Sequence, residues 1–595
     1  MKKLLPWLWL PCVAACAQPS GDPPGAPWGV PITGGTMLVT HDGHQAVIAD
    51  PDADRVLTVD LARGETVGVV KLLPGDEPGR LVEDGAGRVH VALRRGGALL
   101  TLGGANHDDV LARRAVCAEP RGLAWQASTD VIHVACAGGD LVSLRASGGA
   151  PIRHLHLDRD LRDVVVEGDH LRVSRFRTAE LLTIDAGGAV VDRTRSPTTQ
   201  RFVGGGPIME PPQSGMVDAI PAVAWRTIAL PDGRIAMLHQ RQVQEVLDTS
   251  PDGYRGDCGG PVETALSTFV PGQPAFASSP SFFGPLAVDV AVAPAGDRLA
   301  VAVVGQQEAF TLPITALEQP DNGDGCRVPV PDTAREPPLL EGRGAPTAVA
   351  FTPSGELAIF YPEEPSLVIR SADETTERAI TLPGERGVDD GRRVFHMQTA
   401  SGLACASCHP EGREDGLVWQ FATLGSRRTQ MVAGHVLERA PYHWDGDQTD
   451  LTTLMTNVFT GRMDGGELSS EEVDAVGAFL ERVPAPAPAG GGDEAAIARG
   501  KALFESSEVG CAGCHNGALL TDGQRVAVGT GGVDNAAFKV PSLVGIGARA
   551  PYMHDGCAAT LRDRFGACGG GDAHGHTSQL SAAQVDDLVA YLDSL

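Results

Sequence analysis

The residue order predicts a multidomain chain: an all-β, seven-bladed propeller followed by two mainly α-helical domains. Three observations carry this expectation. One strand–turn–strand pattern recurs from about residue 35 to residue 370. Two Cys-x-x-Cys-His pentapeptides stand beyond residue 400, and a Pro-Ala then Gly-rich joint, Pro484 to Asp493, separates them. At 595 residues the chain is too long for one core. Its 74 Gly and 43 Pro imply many short elements joined by tight turns. A formal charge of −27 excludes an ordinary polyanion binder, so nucleic acid is not an expected partner.

Each copy of the repeat is an apolar strand, a Gly or Asp turn and a second alternating strand. The turns are His41-Asp42-Gly43, Glu83-Asp84-Gly85, Glu167-Gly168-Asp169, Pro231-Asp232-Gly233, Pro294-Ala295-Gly296 and Pro353-Ser354-Gly355, with a degenerate copy from Leu123 to Asp130. Early copies lie about 40 residues apart and later ones about 60, within the range of propeller blades. A single β-sandwich would explain the strands but not the period. Residues 243–285 and 317–345 show little periodicity and read as long loops on one rim.

At the start, Met1-Lys2-Lys3 precedes a short apolar run, Leu4 to Ala15, too short to span a bilayer as a helix. A basic start, an apolar segment and small residues read as a secretory signal peptide over residues 1–15. Val13-Ala14-Ala15-Cys16 resembles the bacterial lipobox, which implies lipidation of Cys16 and a Pro/Gly/Ser-rich tether over residues 16–30. The expected location is the periplasm or the outer membrane, with membrane contact only through that lipid.

The chemistry lies in the last third. Cys405-Ala406-Ser407-Cys408-His409 and Cys511-Ala512-Gly513-Cys514-His515 are both C-x-x-C-H, the attachment signature of haem c. Two thiols at this spacing reach the two vinyl groups on one side of the macrocycle, and the adjacent histidine meets the iron. Given 12 Cys and 17 His in the chain, chance supplies about 0.007 such pentapeptides. A zinc site is disfavoured because about a hundred residues separate the pairs, and a thioredoxin-like pair leaves the repeated histidine unexplained. Two covalent haem c groups are expected, held by Cys405, Cys408, Cys511 and Cys514, with His409 and His515 on the irons. The expected domains are a propeller over 31–385, haem domains over 386–483 and 494–595, and a linker over 484–493.

Around the second motif stand Gly500-Lys501-Ala502-Leu503-Phe504, read as opening a short helix, then Ala550-Pro551-Tyr552-Met553-His554-Asp555-Gly556 and a last helix from Leu580 to Leu592. Gly391 to Phe395 and Ala440-Pro441-Tyr442-His443-Trp444-Asp445-Gly446 echo the frame around the first motif. This third resembles the bacterial di-haem cytochrome c peroxidases and the related MauG-like oxidases, and Pro120 to Trp125 resembles a YVTN-type propeller blade. The resemblance implies that Trp444 lies between the haems on an electron path. It also implies a glutamate just before a methionine at the peroxidatic haem, but here the stretch reads Phe459-Thr460-Gly461-Arg462-Met463-Asp464. Without that glutamate, Met463 is the expected sixth ligand of the first iron, with His435 and His443 as alternatives. For the second iron His574 is favoured over His576 and Met553.

With Cys12 leaving in the signal segment, Cys16 lipidated and four cysteines on haem, six remain, an even number, as expected in an oxidising compartment. Cys117 with Cys136 would bridge neighbouring blades, Cys258 with Cys326 would tie the two long loops, and Cys557 with Cys568 would close a tight loop. The function read from these residues is an exported di-haem relay that exchanges electrons with a basic redox partner and docks through its propeller. The alternative is an active peroxidase or MauG-like oxidase that uses hydrogen peroxide or oxidises a protein partner.

Overall fold

The computed structural model describes residues 29–203, 215–254, 260–282, 285–321, 343–384, 387–488, 492–531 and 536–595. The signal segment, Cys16 and both Cys258 and Cys326 lie outside the described residues, as does most of the tether.

From Met37 to Thr381 the chain forms successive antiparallel sheets of three to five strands. Seven of them begin, in chain order, at Met37, Pro78, Pro120, Leu161, Thr199, Ala287 and Ala348. The inner strands, Met37–Val39, Pro78–Glu83, Pro120–Gln126, Leu161–Glu167, Gly215–Ala229, Ala287–Val292 and Ala348–Phe351, touch in succession, and the last touches the first. The arrangement is propeller-like. Apolar residues fill each gap between neighbours: Val47 and Val56 meet Val89 and Leu100, and Leu57 and Val59 meet Phe360 and Leu367 where the ring closes. No sheet could bury both its faces alone, so the stack is what keeps them from water.

Each recurrent turn joins an inner strand to the next strand outward. Gly43, at φ 73°, lies against the Pro353 ring of the neighbouring sheet, and a Cβ there would come within 2.8 Å of it. Both the backbone sign and the close approach therefore call for glycine.

Residues 243–285 correct the loop expectation. Val262–Phe269 and Phe276–Phe282 complete the fifth sheet, and Val246–Leu247 pairs in parallel with Val418–Phe421 in the helical third. Almost every residue of Val262–Phe269 is buried, so the strand lacks the alternation of polarity that marks a half-exposed one.

The C-terminal third comprises two similar units. In the first, α1 (Asp390–His396) precedes α2 (Cys405–Cys408), a hairpin follows (Val418–Phe421 with Gly425–Arg428), and α3 (Leu451–Leu454) leads toward α4 (Ser470–Arg482). In the second, α5 (Glu494–Glu505) precedes the motif, Arg525–Val526 pairs with Phe538–Lys539, and α6 (Ala582–Asp593) ends the unit. Helix α5 already begins at Glu494, so Gly500 to Phe504 is its C-terminal half and not its start. The glycine has another purpose. A Cβ on Gly500 would sit 1.9 Å from the Asp587 carbonyl oxygen, and one on Gly391 would sit 2.0 Å from that of Ala475. Each unit therefore crosses its first and last helices through a glycine.

Ser469 with Glu472 and Ser581 with Gln584 form reciprocal capping boxes that fix where α4 and α6 begin. Leu588, Tyr591 and Leu592 of α6 face the core. Among the described residues no helix is long and apolar enough to cross a membrane.

Disulfides join Cys117, in the link between the second and third sheets, to Cys136 of the third, and Cys557 to Cys568. A bridge over 19 residues restricts the unfolded chain. Replacing both Cys117 and Cys136 by serine should lower stability by about 3 kcal/mol, read as an earlier urea midpoint. An unchanged midpoint would show that the bond does not restrain the ring.

Candidate haem sites

At the first motif, α2 holds Cys405 and Cys408 side by side with free thiols. Burial pushes the Cys405 thiol up to about 12 and that of Cys408 well above its usual range. His409 follows, and its Nδ1 lies 3.0 Å from the Arg413 carbonyl oxygen. As donor in that bond, Nδ1 leaves Nε2 as the free ligand atom. Burial also lowers the His409 pKa, favouring the neutral imidazole a metal requires.

Met463 is 6% exposed and lies in one apolar cluster with Leu403, Trp419, Phe421, Cys405 and Cys408. A π-helical stretch, Met455–Arg462, delivers it: the Met463 N–H donates to the Val458 carbonyl, five residues back. His435, 62% exposed, instead pairs with Glu481, and His443 pairs with Asp447. Tyr254, brought in by the segment after Val246–Leu247, packs on the Met463 cluster and meets Arg462 through its hydroxyl.

At the second motif Cys511 and Cys514 are also free. His515 Nδ1 lies 3.2 Å from the Leu520 carbonyl oxygen, the same arrangement as at His409. His515 opens onto a mainly apolar cavity of about 370 Å³ whose lining includes Phe504, Val509, Phe538, Ile546, Leu561 and Trp444. Across it stands His574, its ring centroid 6.4 Å from that of His515 and the planes inclined by 38°.

Residues 497–595 match the cytochrome c family model. The C-terminal unit is a cytochrome c domain. Hydrazine synthase subunit gamma of Kuenenia stuttgartiensis is 29% identical over 254 residues, covering 32% of this chain and 72% of that relative. Kuenenia stuttgartiensis hydrazine synthase superposes with a TM-score of 0.41 at 15% identity, over 61% of this chain and 100% of that one. A streptogramin B lyase superposes with a TM-score of 0.37 at 11% identity, over 56% and 92%.

In this cytochrome c domain the residues fit haem c. Metal–imidazole bonds are about 2.0 Å long, and a ring nitrogen lies roughly 1.1 Å from its centroid, so two histidines on opposite sides of one ion stand about 6.2 Å apart. The pair His515 and His574 has that separation. His574 Nδ1 is buried without a hydrogen-bond partner, and burial, then Arg564 and His515, lowers the imidazole to about 3. Met553 and His576 also line the cavity.

Trp444 sits at the seam between the two units. Its Nε1 donates to the Arg428 carbonyl at 2.7 Å, and its ring meets His554 edge-on at 6.4 Å. His554 stacks on Phe538 at 4.0 Å. Backbone bonds cross the seam reciprocally: Lys539 N–H donates to the Trp444 carbonyl and Arg428 N–H to that of His554. Trp444 and His554 occupy equivalent places in the two copies of the Ala-Pro-Tyr frame.

Sequence reasoning missed the charged residues after His409. Glu411 is buried with Arg94, Arg121 and Arg162 of the sheet ring. Arg413 is paired through both its terminal nitrogens with Glu119. Glu414 takes Arg428 and lies 3.5 Å from Arg549 of the second unit. Their local sequence resembles any exposed turn. The one available signal was the contiguity of three ionisable residues with the motif.

Burial alone would raise the Glu119 carboxyl, but the Arg413 guanidinium outweighs it and lowers it to about 2. The unfolded value is near 4.5, so this pair's stabilisation is complete above pH 4.5 and vanishes as pH falls toward 2. Glu119→Gln should cost roughly 3 kcal/mol at pH 7. In denaturant titrations the gap from the parent should shrink steadily between pH 4.5 and 2. A gap independent of pH would show that the carboxylate charge is not what stabilises.

Proposed function

We propose that this chain is an exported di-haem c-type cytochrome in which two six-coordinate haems relay electrons beside a seven-bladed propeller. Cys405, Cys408 and His409 would hold one haem, and Cys511, Cys514 and His515 the other. The observation that carries the relay is the facing pair His515 and His574, whose separation suits two axial ligands on one ion. A haem with both axial positions filled by the protein exchanges electrons and does not bind peroxide or another small substrate. Met463, buried beside Cys405 and Cys408, would fill the sixth position of the first haem.

The protein's own part is to hold ligands and exclude water. The Arg413 and Leu520 carbonyls orient the two proximal imidazoles. Apolar side chains line the second site, and Trp444 with the reciprocal seam bonds shortens the gap between sites. Lipidation at Cys16 would tether the protein in the periplasm or at the outer membrane. The charge of −27, made more negative by haem propionates, favours a basic redox partner.

A second reading draws on the similarity to hydrazine synthase subunit gamma, a component of a synthase. The first haem would then keep an open face for an oxidation or for peroxide reduction, with Met463 packing nearby.

Spectroscopy separates the two. The relay predicts two haems per chain by pyridine haemochrome assay and wholly low-spin oxidised protein. It also predicts a red-edge methionine-to-iron band that Met463→Ala abolishes. Rapid mixing of reduced protein with hydrogen peroxide should give no turnover. A high-spin first haem with peroxide turnover would establish the second reading instead.

A further inference from the structure

The turn after the first motif is gripped by the sheet ring. Glu411, 3% exposed and in a left-handed conformation (φ 56°), accepts from Arg94 at 2.9 Å, from Arg121 at 3.3 Å and from Arg162. These arginines come from the second, third and fourth sheets, so the carboxylate closes a convergence of charges at one end of the ring. Two residues on, Arg413 is paired with Glu119, beside the inner strand of the third sheet. The carbonyl of that same Arg413 accepts from His409 Nδ1. The backbone that orients the proximal imidazole is thus fixed at both ends by side chains some three hundred residues earlier in the chain.

We propose that the propeller sets the reduction potential of the first haem, with Glu411 and Arg413 as positioning residues and Arg94, Arg121, Arg162 and Glu119 as the charges that hold them. Hydrogen bonding to the proximal ligand and fixed charge near the iron are established determinants of haem potential. The proposal rests on His409 being the ligand of a covalently held haem. The propeller then tunes the redox centre as well as offering a surface for a partner.

The test is a spectroelectrochemical titration of the holoprotein and three variants, with the second haem as internal reference. Glu411→Gln keeps the shape of the side chain but removes the negative charge that the three arginines share, which disfavours the oxidised iron, so the first potential should rise. Glu119→Gln frees the Arg413 charge and should also raise it. Arg94→Met removes a positive charge and should lower it. The second haem should not move in any variant. General loosening would admit water and shift all three in the same direction, so the opposed signs identify the charges as the cause. Unchanged potentials, or three shifts of one sign, would overturn the proposal. Should Glu411→Gln not fold, the less deeply buried Glu119→Gln and Arg94→Met still give the opposed pair. Haem content separates the underlying reading: if replacing Cys405 and Cys408 by serine does not halve it, no haem is held at the first motif.

Discussion

Everything in this molecule meets at the ion cluster around Glu411. A lone carboxylate removed from water costs many kcal/mol, and so does a lone guanidinium, yet here one glutamate and three arginines are buried together. Burial would raise the Glu411 carboxyl, but Arg94, Arg162 and Arg121 outweigh it and hold it well below the usual range. Such a cluster adds little net stability over an apolar core, but removing one partner typically costs about 3–5 kcal/mol. Its effect is therefore on specificity of docking. Turning the first helical unit away from this seating on the ring would strand these charges. Neighbouring residues extend the same logic: Arg413 reaches back to the ring through Glu119, and Glu414 reaches forward to Arg428 and Arg549. One short turn thus fixes three bodies relative to one another.

The two helical units show how a duplicated frame makes an asymmetric pair. Both cross their terminal helices at a glycine, and both present a left-handed residue, His443 or Met553, in the turn after the cis-proline. Each turn offers a carbonyl to the other unit's hairpin. Side chains break the symmetry. Trp444 stands where the other copy has His554, and it joins the lining of the second unit's cavity. An indole gives that lining polarisable apolar surface while spending its single N–H on the Arg428 carbonyl.

What the sequence revealed follows from how local each feature is. The recurrent turns mark the sheets, because a tight turn needs Gly or Asp at a fixed place. The two motifs identify themselves through their Cys-x-x-Cys-His spacing, and Ser469 and Ser581 announce the starts of α4 and α6. Features built from distant partners were illegible. Val246–Leu247 pairs with Val418–Phe421 across more than 170 residues, and nothing in the dipeptide says so. Val262–Phe269 is buried on both faces and so lacks a strand's alternation. Glu411 reads as an ordinary polar turn residue until Arg94, Arg121 and Arg162 are seen to converge on it.

The same distinction governs the iron sites. As proposed ligands, His515 and His409 are fixed by motif, because a ligand adjacent in sequence would need no fold to find its metal. Their opposite numbers depend on loops that the fold must deliver. For His574 the delivery is a run of tight turns after the Cys557–Cys568 bridge, which leaves the imidazole facing His515 with one nitrogen unpartnered. For Met463 it is the π-helical stretch, whose wider turn shifts the following side chain relative to a regular helix. On the proposed ligation, a histidine–histidine iron lies below a histidine–methionine iron in potential, so electrons run from the second site to the first. The first site is also the one whose proximal turn the ring of sheets holds. Control by the propeller would therefore fall on the electron-accepting end of the pair, where a change in potential alters the driving force of transfer between the sites.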